Sequence, residues 1–172
     1  MIRLSGRKKE KRKKGFLVNV VNLQKKVKID KKYVQKVASK TIRLGTRDRD
    51  KLWRAKSEVG IIFVNDSYIK RLNRKYRRVN SITDVIAFPM EGHGEFVPSM
   101  TSSHILGDVF ISADRAKVQA KDFKHSVGEE IAILTIHGIL HLLNYDHRRR
   151  KNALVMRRKE EEILNHIKCS KE

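Results

Sequence analysis

The stretch HGILHLLNYDH, residues 137–147, concentrates three histidines at spacings that suit one metal ion. His137 and His141 stand four apart, so on an α-helix both imidazoles leave one face, about 6 Å apart along the axis. His147 follows six residues later. Six helical steps of about 100° would carry it to the wrong side, so it reaches the same ion only if the helix stops first. Asn144 is the expected stop, because asparagine is second to glycine in the left-handed conformation that ends helices. A chain reversed there can present His147 to the metal. Three protein ligands leave a fourth position for water, the catalytic rather than the structural arrangement of zinc, and water so held ionises near neutral pH. One zinc ion is therefore the expected cofactor, with Asp146 as a hydrogen-bond acceptor behind a ligand. A bare histidine pair at this spacing often reflects packing alone. The third histidine shifts the balance. His93, His104, His125 and His166 share no such arrangement, and no chemistry is assigned to them.

The same spacing occurs in the long zinc-protease pattern H-E-x-x-H-x-x-G-x-x-H. Gly138 stands where that pattern has its glutamate. Glycine offers no proton acceptor, so peptide hydrolysis would lose its general base. Upstream, the run KRLNRKYRRVNSITDVIAFP, residues 70–89, holds six Lys or Arg by Arg78 and no acid before Asp84. Guanidinium forks bind phosphate oxygens in bidentate fashion, and an arginine near zinc could hold a scissile phosphate. Arg74 and Arg78 are candidates for substrate contact, while most of the run reads as a solvated helix face. Tyr76 could stack on a base. Phe88 fits a core role better.

Composition points the same way. The 172 residues carry 40 Lys and Arg against 19 Asp and Glu, a formal net charge of +21. Such an excess favours a polyanion, either nucleic acid or an anionic membrane surface. No apolar run approaches the roughly 20 residues that span a bilayer, and FLVNVVNLQ is too interrupted for a signal-peptide core. The single cysteine, Cys169, forms no internal disulfide, which suits a reducing compartment. The expectation is a cytoplasmic protein that binds RNA and no membrane.

The elements that must position these groups can be read in outline. Residues 1–14 are almost uniformly basic, with only Glu10 opposing, and are expected to form a mobile tail. A single domain is expected over 15–172. Leu17–Val21, Val59–Val64, Asp84–Phe88 and Leu106–Ser112 have strand character. Asp30 is placed to cap a helix through Leu44 with Val34, Val37, Ala38 and Thr41 on its inner face. Asn65 or Asp66 caps a second helix ending near Tyr76, with Ile69 and Leu72 as its apolar stripe. Ser112 caps a third over Ala113–Phe123. Ser126, with Glu129 three residues on, opens a strongly apolar fourth through Leu142. A last amphipathic helix covers about Asn152–Ile167. The stretches 43–57 and 91–104 read as a polar connection and a flexible loop. Strands and helices mix without regular alternation, which predicts an α+β fold with a small mixed sheet and about five helices.

Three ordered motifs then resemble the YbeY family of single-strand-specific endoribonucleases. Residues 137–147 match H-G-x-L-H-L-x-G-Y-D-H except that Asn144 replaces glycine. L-N-x-x-Y-R appears as Leu72, Asn73, Tyr76 and Arg77. P-T-D-V-L-S-F-P appears as ITDVIAFP, with Ile82 for proline, Ile86 for leucine and Ala87 for serine, and L-G-D as Leu106, Gly107 and Asp108. The resemblance runs from roughly Phe16 to Lys168. It implies a zincin-like fold with a metal-bearing cleft, ligands His137, His141 and His147, and a site arginine at Arg77. The implied work is trimming of ribosomal RNA, notably the small-subunit 3′ end, and ribosome quality control, with the ribosome and small-subunit proteins as partners. Two rivals remain at this level. One is a non-catalytic, zinc-stabilised ribosome-assembly factor, and the other is a zinc peptidase, which Gly138 disfavours.

Overall fold

The structure, a computed structural model, describes residues 16–46, 57–90, 104–145 and 149–169. The basic segment 1–14, residues 47–56 of the polar connection, residues 91–103, and the predicted site residues Asp146 and His147 lie outside the described residues. The elements run β1 (Leu17–Asn22), α1 (Lys31–Gly45), β2 (Ser57–Val64), α2 (Asp66–Arg77), β3 (Val85–Pro89), β4 (His104–Ser112), α3 (Ala113–Asp122), α4 (Val127–Leu142) and α5 (Arg150–Lys168).

Short polar side chains start the helices where the sequence placed them. Asp30 Oδ1 accepts from Tyr33 N (3.0 Å), and Asn65 Oδ1 accepts from Tyr68 N (2.8 Å). Ser112 Oγ accepts from Arg115 N (3.2 Å), and Ser126 Oγ from Glu129 N (3.1 Å). Each satisfies one N–H that the helix itself leaves unpaired.

The strands form one four-stranded sheet in the order β1-β2-β4-β3. β1 and β4 both pair with β2 in parallel, while β3 runs antiparallel to β4. The sheet is mixed and the fold α+β, as the sequence predicts. The chain nevertheless opens with one β-α-β unit, β1-α1-β2, before regular alternation ends. Where the pairing of β2 with β4 slips, Gly107 takes φ +129°, and a Cβ there would lie 2.1 Å from the Phe88 carbonyl oxygen. Only glycine fits this close backbone approach.

Alternation along the strands gives the sheet two apolar faces. Val59, Ile61, Phe63, Leu106, Val109 and Ile111 are fully buried in one core cluster with α1 and α4, against which α5 packs in turn. The opposite side carries a smaller cluster, in which Ile69 of α2 buries Val64 and Ile86 beside partly buried Leu72, Phe88 and Phe110. α2 and α4 therefore lie on opposite faces of the sheet, with the edge strand β3 touching both clusters through Val85 and Ala87 on one side and Ile86 and Phe88 on the other. Gly138 sets how closely α4 approaches. A Cβ at this position would stand 2.3 Å from Val109 Cγ1 and 3.3 Å from Val85 Cγ2.

Candidate metal centre

His137 and His141 occupy the last turns of α4, and their side chains meet as the four-residue spacing requires. Their Nε2 atoms are 3.0 Å apart, and the rings stand nearly perpendicular at 76° with centroids 4.6 Å apart. Two nitrogens bound tetrahedrally to one zinc at 2.0–2.1 Å would be about 3.3 Å apart, so the pair fits a shared ion after a small adjustment. Behind the pair, His137 Nδ1 lies 2.7 Å from Glu160 Oε1 on α5. No group of three metal-binding side chains occurs among the described residues, and the third predicted ligand, His147, is not one of them.

The turn that should deliver His147 is described up to Tyr145. Asn144 adopts φ +62°, the left-handed conformation expected of it. Tyr145 N donates to Leu140 O (2.9 Å) and Asn144 N to His141 O (3.1 Å). These two bonds are the Schellman pattern, which satisfies the last carbonyls of a helix and turns the chain away from its axis. Tyr145 is buried and its hydroxyl donates to Gly45 O (3.0 Å), so the reversed chain is anchored to α1 at the last described residue before Asp146 and His147, the site residues expected from sequence.

The arginines are placed differently. Arg74 and Arg77 are exposed on α2, and Arg78, also exposed, is its left-handed cap at φ +58°. The helix ends at Arg77, next to the Tyr76 end expected from sequence. The structure brings His137 and His141 together and sets the three arginines on the helix that covers the opposite sheet face. Tyr76 is 57% exposed, with its ring edge against Phe88 at 5.0 Å and Lys75 Nζ 5.0 Å over its centroid. Phe88 is half-buried in the smaller core, the role preferred for it from sequence.

Several residues acquire roles that the sequence did not disclose. Buried Asn73 accepts two backbone N–H groups at the end of α2 through its carbonyl, from Arg78 and Val79, while its Nδ2 donates to Ser81 O (2.9 Å). This clasp fixes the segment leading from the arginines to β3. Asp84 at the head of β3 accepts from Val85 N (2.8 Å) and from Gln119 Nε2 of α3 (3.0 Å). Glu130, two helical turns before His137, is buried and contacts His125 Nε2 at 2.5 Å. Burial pushes the Glu130 carboxyl above its ordinary value; His125 opposes this, and nearby Asp84 and Glu129 add to it. Glu160 is the missed residue closest to the chemistry. Its signal was faint, one acid within the run Glu160–Glu161–Glu162 on an amphipathic helix.

Known proteins place this geometry in context. The family model described as Endoribonuclease YbeY matches residues 19–168. The Endoribonuclease YbeY of Pelotomaculum thermopropionicum is 40% identical over 159 residues, covering 90% of this chain and 99% of its own length. That of Desulforamulus reducens is 37% identical over 153 residues, 89% of this chain and 97% of the relative. Among solved structures, the solution structure of TM1509 from Thermotoga maritima superposes with a TM-score of 0.57 at 23% identity, covering 88% of this chain and 89% of that one. This last likeness bears on the fold alone.

Proposed function

Because the chain belongs to the Endoribonuclease YbeY family, we propose that it is a zinc-dependent endoribonuclease that cuts single-stranded RNA in the course of ribosomal RNA processing, with ribosomal particles and small-subunit proteins as its partners in the cytoplasm and no membrane association. The observation that carries the reading is the convergence of the His137 and His141 Nε2 atoms at 3.0 Å, at the end of a helix that the left-handed Asn144 closes before His147 in the sequence.

His137, His141 and His147 would hold the ion, which when bound supplies Lewis-acid chemistry at the phosphodiester. The rest of the work falls to the protein. Arg77 is the last residue of α2, where the chain turns toward the edge strand β3, and would offer its planar fork to the reacting phosphate around that edge, while Arg74 and Arg78 would add affinity for flanking phosphates. The formal charge of +21 raises the local concentration of RNA around the whole molecule. The exposed face of Tyr76 suits an unpaired base better than a duplex, whose bases are already stacked. Gly138 faces Val109 rather than open space, so the peptidase base has neither a side chain nor room for one. That removes the main structural ground for the peptidase reading.

Turnover of a defined single-stranded RNA, its duplex form and a peptide by the purified full chain tests the proposal. Cleavage confined to the single strand, lost with a chelator and regained with zinc, is the expected result. Tight RNA binding without turnover under any metal would favour the assembly-factor reading instead.

A further inference from the structure

The contact between His137 and Glu160 lies outside the metal-ligand set. Glu160 belongs to a run of three acids, but its neighbours turn elsewhere: Glu161 faces Arg157 Nε (3.4 Å) and Glu162 faces Lys159 Nζ (2.7 Å). Only Glu160 is seen to reach α4, and it does so at 2.7 Å with both partners about a quarter to a third exposed. An ionised carboxylate only accepts hydrogen bonds, so the proton in this contact belongs to Nδ1 of the imidazole. We propose that Glu160 is a positioning residue for the metal centre. It holds His137 in the Nδ1-protonated tautomer and fixes the ring so that Nε2 presents its lone pair toward His141, where a shared metal would sit.

The helix that carries Glu160 is built to hold it still. Met156, Ile163 and Ile167 bury one stripe of α5 at 2%, 0% and 1% exposure. Lys168 Nζ reaches Glu129 at 2.7 Å and ties the far end of α5 to the start of α4. The carboxylate is thus fixed by packing remote from the histidines. A metal-binding histidine commonly needs such a partner on its other nitrogen, because otherwise either tautomer and several ring orientations compete. Since α5 is docked through its own apolar stripe, metal binding and α5 docking should reinforce each other, a coupling that acts equally in both directions. The inference rests on the zinc reading above and adds to it a residue that touches no metal.

The test uses the full chain and two readouts. Zinc affinity is measured by competition with a chromophoric chelator for the wild type, Glu160→Ala, Glu160→Gln and the neighbouring control Glu161→Gln. Glu160→Ala should weaken zinc binding about 10–100-fold, the scale for losing such a partner. Glu160→Gln keeps an accepting oxygen without the charge and should fall between, while Glu161→Gln should match the wild type. The second readout is the ¹⁵N signature of the His137 ring in metal-free protein. The wild type should show Nδ1 protonated and Nε2 unprotonated, and Glu160→Ala should mix the tautomers. If both Glu160 variants bind zinc within twofold of the wild type, or His137 keeps its tautomer without the carboxylate, the proposal is overturned. Should Glu160→Ala fail to fold, the Gln variant still decides, because an affinity equal to the wild type contradicts a charge-assisted contact. A wild type that binds no zinc at all instead overturns the zinc reading, and this inference falls with it.

Discussion

Adding a single methyl group at Gly138 probes how the histidine-bearing helix α4 is seated. The Cβ of Gly138→Ala would stand 2.3 Å from Val109 Cγ1 and 3.2 Å from Cγ2, on a strand residue that is fully buried. Overpacking of this kind costs about 1–3 kcal/mol. Replacing a mid-helix glycine with alanine returns about 1 kcal/mol of helix propensity. The net loss should therefore be about 0–2 kcal/mol, a balance too small to interpret alone. Val109→Ala makes it decisive. Alone, it deletes two buried methyl groups and should cost about 2–3 kcal/mol from transfer plus cavity. In the double variant the new Cβ occupies the space that Val109 vacates, so the overpacking term vanishes while the propensity gain remains. The double should be more stable than the sum of the singles by about 1–3 kcal/mol. Urea denaturation of all four proteins, with slopes compared to exclude changes in the unfolded state, measures this coupling. Zinc affinity should follow the same order, since His137 and His141 ride on the displaced turn. Simple additivity, with Gly138→Ala more stable than the wild type by the full propensity term, would refute the close approach of α4 to the sheet.

Other outcomes follow from the same geometry. Asn144→Val forces a β-branched residue into φ +62° and should cost about 1–2 kcal/mol, whereas Asn144→Gly should be tolerated, both read by thermal or urea unfolding. Zinc content should fall only with valine if, as proposed, the chain beyond this turn carries the third ligand, His147. Glu130, whose folded carboxyl is raised by burial, contributes stability that is fully present below its unfolded value and is lost as pH rises through its folded value. The stability of the wild type relative to Glu130→Gln should accordingly decline as pH rises through that window, and a difference that grows instead would contradict the burial argument. Arg77→Ala should lower the single-turnover rate at saturating enzyme by at least ~100-fold, the scale for one oriented donor to developing charge. Arg74→Ala should mainly weaken binding. Equal small losses from both would leave Arg77 as one more surface charge.

What was legible in the sequence was what is decided locally. Asp30, Asn65, Ser112 and Ser126 announced the helix starts because a cap needs only its own side chain and an N–H a turn ahead. Asn144 announced a helix end because few residues tolerate a left-handed backbone. The inner stripe of α1, Val34, Val37, Ala38 and Thr41, is buried as its spacing required. Strand ends were less sharp: β4 begins at His104 rather than Leu106, since exposed Ile105 and the bulge at Gly107 break the alternation that would mark its start. Contacts between elements were not legible. Glu160 is 23 residues from His137, and nothing local distinguishes it from Glu161 and Glu162. Gly138 read as a missing base, and its packing role emerged only once Val109 was opposite it. Asn73 stood in the sequence only as one letter of a family motif, and its structural role appeared once its amide was seen holding Ser81. The arginines read as neighbours of the histidines, yet they sit on the helix across the sheet, a separation that only strand order reveals.

If His137, His141 and His147 hold one zinc, as proposed, RNA cleavage should depend on all three. Metal content and cleavage of a single-stranded RNA, measured side by side on wild type, His137→Ala, His141→Ala and His147→Ala, test it most directly. About one zinc per wild-type chain, weakened binding in each variant and cleavage falling with the metal are the expected results. A His147→Ala protein that kept full zinc at wild-type affinity and cut RNA normally would contradict it.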